Sequence, residues 1–195
     1  MYQTIATLGL THLALSPFEK QIQGFPHYGD LTNRIVSIVS MSNVIVNAIY
    51  NIPLQSLVDF MFGYYIYDLM FMMSSVKRIR HYRLFIIHHL IAMSLLHIGR
   101  EYDQNLGASI IGIFESTTPL IHIRKISIVL APQTYLTSCI NSITKNSYFV
   151  MRVIGLPTWC LCAIHKVYDK SWGHIGMISG VLMIWQASIV WWYSM

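Results

Sequence analysis

Two adjacent histidines, His88 and His89, stand inside the apolar run 84–98. Imidazole can act as a base toward an amine or a hydroxyl, or can itself accept an acyl group. Hydrocarbon is a poor place for it, so ionisable residues in long apolar segments usually serve a function. Three further apolar runs carry Asp68, Glu115 and Arg152. A guanidinium there can hold an anionic substrate group, or serve as counter-ion to one of the carboxylates. Glu115 and His122 are seven residues apart and share a helix face, with Thr118 between them. His88 and His89 point about 100° apart on a helix, which predicts different roles for them. The candidate catalytic residues are therefore His88 and His89. The candidate substrate-binding residues are Asp68, Glu115, Thr118, His122 and Arg152. A single histidine in such a helix can also be no more than a hydrogen-bond partner for its neighbour.

The elements that must position these residues are apolar. Of 195 residues, 54% are hydrophobic and 11% charged, where a soluble domain carries roughly 25% charged residues. The apolar content comes in blocks, at residues 35–52, 54–75, 84–99, 105–123, 147–164 and 173–192. These predict an all-α fold: a polytopic membrane helical bundle of about six transmembrane helices. Residues 1–16 form a weak apolar stretch ending at Pro17, and 17–33 read as loop. The chain thus divides into an N-terminal interfacial segment and loop, 1–32, and a transmembrane domain, 33–195. Residues 126–143, with Pro132 and several polar side chains, read as re-entrant or interfacial. The N-terminus lacks the basic region of a cleavable signal peptide.

The net charge of +5 resides in short connections and argues for membrane orientation, not nucleic-acid binding. Lys20, Arg34, Lys77, Arg78, Arg80, Arg83, Arg124, Lys125 and Lys145 fall on one side of the expected bundle. Arg100, Lys166 and Lys170 fall on the other. The positive-inside rule places both termini in the cytosol. Counted from the basic connections, Asp68, His88, Glu115 and Arg152 each lie roughly 8–14 Å inside the cytosolic helix ends. Four helices would then place polar groups in one layer. Pro119 and Pro157 free the carbonyls of Glu115 and Val153 beside that layer, which predicts kinks with backbone acceptors needing partners.

Other features have simpler readings. Cys139, Cys160 and Cys162 make no paired framework, and the latter two read as small apolar side chains. Met70, Met72 and Met73 read as packing and lipid contact, and Asp59 as an interfacial carboxylate. Gly176 and Gly180 match GxxxG, read as close packing within the chain ahead of a homodimer contact. Trp172 and the Trp191, Trp192, Tyr193 cluster bracket the last span like an aromatic belt.

Several stretches come in an ordered set: Asn-Arg-Ile-Val-Ser at 33–37, Gly-Tyr-Tyr-Ile-Tyr-Asp-Leu at 63–69, and His-His-Leu-Ile-Ala at 88–92. Glu-Ser-Thr-Thr-Pro-Leu-Ile-His-Ile-Arg follows at 115–124, then Phe-Val-Met-Arg at 149–152 and an aromatic final helix. Over 33–195 this resembles the TLC domain family, which includes ceramide synthases and smaller TLC-domain-containing proteins. The resemblance implies a helical membrane domain of the endomembrane system, such as the endoplasmic reticulum, concerned with lipid synthesis, transport or sensing. In ceramide synthases the paired histidines, matching His88 and His89, belong to a site that transfers an acyl group from acyl-CoA to a sphingoid amine. The chain departs from those enzymes where they carry a His-Asp-rich acidic motif, since Glu115-Ser-Thr-Thr-Pro119 stands there. Ser40 takes the place of a histidine many relatives have in the first motif helix.

Two functions follow from these features. The first is lipid handling: binding, transport or sensing of a membrane lipid or fatty acyl chain without a resident cofactor. The second is acyl transfer, with acyl-CoA as co-substrate and a lipid amine or hydroxyl as acceptor. A membrane di-iron oxidase would need repeated histidine boxes, and His81, His97 and His122 do not supply their spacing. A channel or secondary transporter stays open, because intramembrane charge also serves ion pathways, but no internal symmetry supports it. No phosphate loop or GxSxG elbow is present.

Overall fold

A computed structural model of the chain describes residues 2–19, 30–49, 54–74, 82–102, 115–166 and 172–194. Every regular element among them is helical. The basic segment 77–81 and most of the expected span 105–123 lie outside the described residues, as does Asn105 with its expected capping role.

Helix α1 (Tyr2–Glu19) continues past Pro17, where the sequence predicts an end. Proline has no N–H for the carbonyl of Leu13. The Ser16 hydroxyl donates to that carbonyl instead, at 3.2 Å, so the break is repaired locally. Helix α2 (Asp30–Ile49) begins five residues before the apolar block that announces it. Asp30 favours the positive N-terminal end of the helix dipole and pairs with Arg34 one turn on, at 2.9 Å. Helices α3 (Leu54–Ser74) and α4 (Tyr82–Tyr102) extend over the expected blocks.

The next segment departs from expectation. Ser116 and Thr117 form a turn, and α5 (Thr118–Leu130) starts there with Pro119 in its first turn. Proline suits that position because its missing N–H has no partner to lose. Pro119 therefore stands at the start of a helix, after the turn that follows Glu115. Arg124 and Lys125, read from sequence as a connection, lie within α5. The reversal comes at 131–134, where Pro132 cannot continue the helix. Thr134 caps the return helix α6 (Tyr135–Tyr148) by accepting from the Thr137 N–H at 3.2 Å. The Thr137 hydroxyl bonds the Ala131 carbonyl at 2.7 Å, and that of Thr144 reaches the Leu120 carbonyl at 3.3 Å. Residues 126–143 thus belong to a helical hairpin stitched by threonine hydroxyls.

Helix α6 runs without interruption into a π-helical turn (Phe149–Ile154) and then α7 (Gly155–Lys166). Pro157 cannot bond the Val153 carbonyl, and the Trp185 indole N–H of α8 (Trp172–Ser194) does so at 2.9 Å. The wide turn and the borrowed indole bond together accommodate the proline.

Helix α1 packs on α2 and α3, α3 on α4, α2 on α5, α5 on α6, and α8 on both α4 and α7. One apolar core joins α1 to α4 through Leu8, Val36, Val58, Met61 and Ala92. A second joins α4, α7 and α8 through Leu95, Leu156 and Val181. Gly180 lets α8 approach α4: a Cβ there would stand 2.8 Å from Leu95 Cδ2.

The distribution of side chains is partly inverted. Ser37, Ser40, His88, His89, Glu115 and Arg152 are buried. Leu10, Leu13, Val39, Met70, Met73 and Leu161 are exposed, each by more than 60%. Among the described residues, no helix is both long and apolar enough to cross a membrane.

Candidate functional site

The first turns of α2 and α4 and the last turns of α3 and α8 meet at one end of the bundle. Between them and α5 lies a cavity of about 370 Å³, within the range of small-molecule sites. Asp68, His88, His89, Glu115, Thr118, His122 and Arg152 all line it. The residues singled out from sequence are brought together, although they come from four separate stretches of chain.

Asp68 is the centre of one hydrogen-bond network. Its Oδ1 accepts from Asn33 Nδ2 at 3.0 Å, and its Oδ2 faces His89 Nε2 at 2.9 Å. The other ring nitrogen of His89, Nδ1, faces the Phe85 carbonyl at 2.8 Å. A carbonyl only accepts, so Nδ1 carries a hydrogen. Asp68 Oδ2 and His89 Nε2 then share one proton between them. Whichever of the two holds it, the pair has no net charge, which suits its burial. Both nitrogens of His89 are committed in this arrangement. His88, one residue earlier, lies edge-on to His89 and to Trp191, with ring centroids 5.5 and 5.3 Å away. The two histidines thus have different surroundings, as their 100° separation predicts.

Glu115 is the centre of a second network. Tyr65 donates its phenol to Oε1, and Thr118 donates its hydroxyl to Oε2 at 2.8 Å. Arg152 reaches this network through threonines: its Nε donates to Thr117 Oγ1 at 2.9 Å and its Nη2 to Thr118 Oγ1 at 3.2 Å. The guanidinium also lies 5.3 Å from the centre of the Tyr148 ring. The π-helical turn carries Arg152, and such turns recur at functional sites. Tyr65 links the two networks, standing edge-on to His89 at 5.1 Å.

Three residues of the cavity wall hold buried polar atoms with no hydrogen-bond partner among the described residues: Asn33 Oδ1, His122 Nδ1 and Tyr148 Oη. Phe71, Met72, Phe85, Ile121 and Trp191 supply an apolar wall. Phe85 and Trp191 stack with centroids 5.0 Å apart. Toward the start of α2 the lining becomes charged, with Asp30, Arg34, Arg124 and Lys125. No group of three or more metal-ligating side chains suited to an ion occurs among the described residues.

Asn33, Tyr65, Thr117 and Tyr148 do not stand out as site residues in the sequence. A signal for Tyr65 was present, since it precedes Asp68 by three residues and so shares its helix face. Asn33 lies in a stretch that resembles loop because the apolar block begins after it. Thr117 and Tyr148 could be found only from the fold.

No curated protein matches the chain, and no solved structure does. The family model for the TLC domain matches residues 24–195, which takes in α2 to α8 and the whole lining of the cavity. The chain belongs to the TLC domain family.

Proposed function

We propose that this protein is a multi-pass membrane protein of the endomembrane system that holds the polar end of a lipid in the cavity. The observation that carries this reading is the cavity itself: two buried hydrogen-bond networks beside an apolar aromatic wall, with three orphaned polar atoms among the lining residues. A buried polar atom without a partner costs about 1–3 kcal/mol. A lipid headgroup, or the hydroxyl or amide near it, would meet the polar lining while its chain covers Phe71, Met72 and Ile121. Membership of the TLC family supports a membrane setting and a lipid-related role. The exposed leucines, valines and methionines of α1, α2, α3 and α7 support it too, since apolar side chains displayed in this number mark a membrane or a partner.

Acyl transfer is the second reading, favoured by the histidine pair. The His89–Asp68–Asn33 chain fixes one imidazole, and His88 stands beside it on the cavity wall. As a base, His88 would take the proton of an amine or hydroxyl as that group attacks the thioester carbonyl of acyl-CoA, and would return it to the CoA sulfur as the C–S bond breaks.

The test uses purified full-length protein in neutral detergent with a panel of fluorescent long-chain lipids. Saturable binding is expected, and Ile121→Trp, which fills the cavity, should weaken it at unchanged thermal stability. If no lipid binds saturably to folded protein, or if Ile121→Trp leaves binding intact, the cavity is not a lipid site. Incubation with acyl-CoA and amine or hydroxyl lipids separates the second reading. Product that forms with wild type and is lost in His88→Ala supports acyl transfer, and absence of product with every acceptor removes it.

A further inference from the structure

The charged end of the cavity has chemistry that lipid handling alone does not require. Asp30 and Arg34 belong to the first turns of α2, and Arg124 and Lys125 to the middle of α5. All four line the same cavity, and Lys125 lies within electrostatic range of the other three. Asp30 is engaged by Arg34, with both carboxylate oxygens receiving guanidinium hydrogens at 2.9–3.3 Å. The Arg124 guanidinium also bonds Asn141 Oδ1 through Nε. Among the described residues the rim therefore carries three cationic side chains and one carboxylate, an excess of two positive charges.

We infer that this rim is a phosphate-binding subsite, and that the cavity takes an amphiphile bearing a phosphate monoester on its headgroup. The inference rests on the lipid-handling reading and narrows it to one substrate class. Three observations support it. A phosphate monoester carries close to two negative charges at neutral pH, matching the excess, whereas a fatty-acid carboxylate carries one. Arginine and lysine together suit the oxygens of phosphate, one through a planar fork and the other as a point charge. Position is the third. Thr118, His122 and Lys125 follow one face of α5 at i, i+4 and i+7. Lys125 therefore stands about 10 Å along the axis from Thr118, which binds Arg152 and Glu115 at the other end of the cavity. A ligand anchored by its phosphate at the rim would extend past His122 toward the two networks. Its chain would lie on the wall of Phe71 and Ile121.

The experiment compares dodecyl phosphate with dodecanol, the same chain without the anion, on purified full-length protein in neutral detergent. Free CoA is added as a competitor, to separate a lipid headgroup from the phosphates of a nucleotide carrier. Dodecyl phosphate is expected to bind about tenfold tighter or more, the effect of one charge-assisted contact of about 1.5–3 kcal/mol. The preference should shrink as salt is raised. Lys125 is exposed, so Lys125→Gln should fold normally, abolish most of the preference and leave dodecanol binding unchanged, with Lys125→Arg restoring it. Equal binding of the two amphiphiles, or a preference that survives Lys125→Gln, overturns the phosphate subsite while lipid handling stands. Failure of both amphiphiles to bind overturns the lipid-handling reading as well. Displacement of dodecyl phosphate by CoA assigns the subsite to a nucleotide phosphate, and no displacement assigns it to a lipid headgroup.

Discussion

Replacing Asp68 in two ways separates what its charge does from what its oxygens do. Asp68 accepts from Asn33 and shares one proton with His89, and the side chains of Asp68 and His89 are 13% and 8% exposed. In Asp68→Asn the new amide oxygen can still accept from Asn33. Its NH2 can donate to His89 Nε2, provided His89 keeps its hydrogen on Nδ1 for Phe85. The pair was neutral overall and stays neutral, so no charge is stranded. The loss is the difference between charge-assisted and neutral bonds, about 1 kcal/mol. Asp68→Ala removes the acceptor from two buried donors, at about 1–3 kcal/mol each, or roughly 3–5 kcal/mol as for breaking a buried pair. For a domain of this size about 2–4 °C of Tm accompanies each kcal/mol. Asp68→Asn should therefore lower Tm by a few degrees, and Asp68→Ala by roughly 10 °C. The assay is thermal unfolding in neutral detergent, followed by tryptophan fluorescence. Spectra of 15N-labelled histidine should also show a neutral His89 with hydrogen on Nδ1 in Asp68→Asn. Equal Tm values for the two variants would refute the proton-sharing pair as a structural element.

The α4–α8 contact predicts a contrast between two glycines of one motif. Gly180→Val should destabilise by about 1–3 kcal/mol through overpacking against Leu95, whereas Gly176→Ala, whose Cβ would stand 3.7 Å from Ile98, should leave Tm within error in the same melts. Trp185→Phe keeps the aromatic bulk and deletes the N–H that serves the Val153 carbonyl. It should cost about 1–2 kcal/mol, and the effect should vanish when Pro157→Ala restores a backbone donor to that carbonyl. A loss of similar size in the Pro157→Ala background would mean that Trp185 acts through packing alone.

The candidate site residues were legible in the sequence because their chemistry conflicts with their surroundings. A carboxylate, a histidine pair or an arginine within an apolar block needs a partner. The structure brings Asp68, His88, His89, Glu115, Thr118, His122 and Arg152 to one cavity for that reason. Pro157 likewise announced an unpaired carbonyl at Val153. Which group would serve it was not written in the local sequence, because Trp185 is 28 residues further on. The segment 115–143 was the least legible. Its basic pair at 124–125 resembled a loop, since charge usually marks the end of an apolar span. Here Lys125 instead lies near Asp30 and Arg34 of another helix, Arg124 bonds Asn141 of the return helix, and the reversal occurs seven residues later at Pro132.

By itself, the sequence determined the helical class, most helix positions, the family and the identity of the ionisable groups, since these depend on residue type and on spacing along one chain. Tertiary structure decided the pairings: that Asp68 shares its proton with His89 rather than meeting Arg152, that Glu115 meets Arg152 through Thr118, and that Asn33 and Tyr65 complete the two networks. It also decided that the basic residues of α2 and α5 converge on one rim. A hydrogen bond depends on distances of a few tenths of an ångström between groups tens of residues apart, and those distances are fixed only when the helices pack.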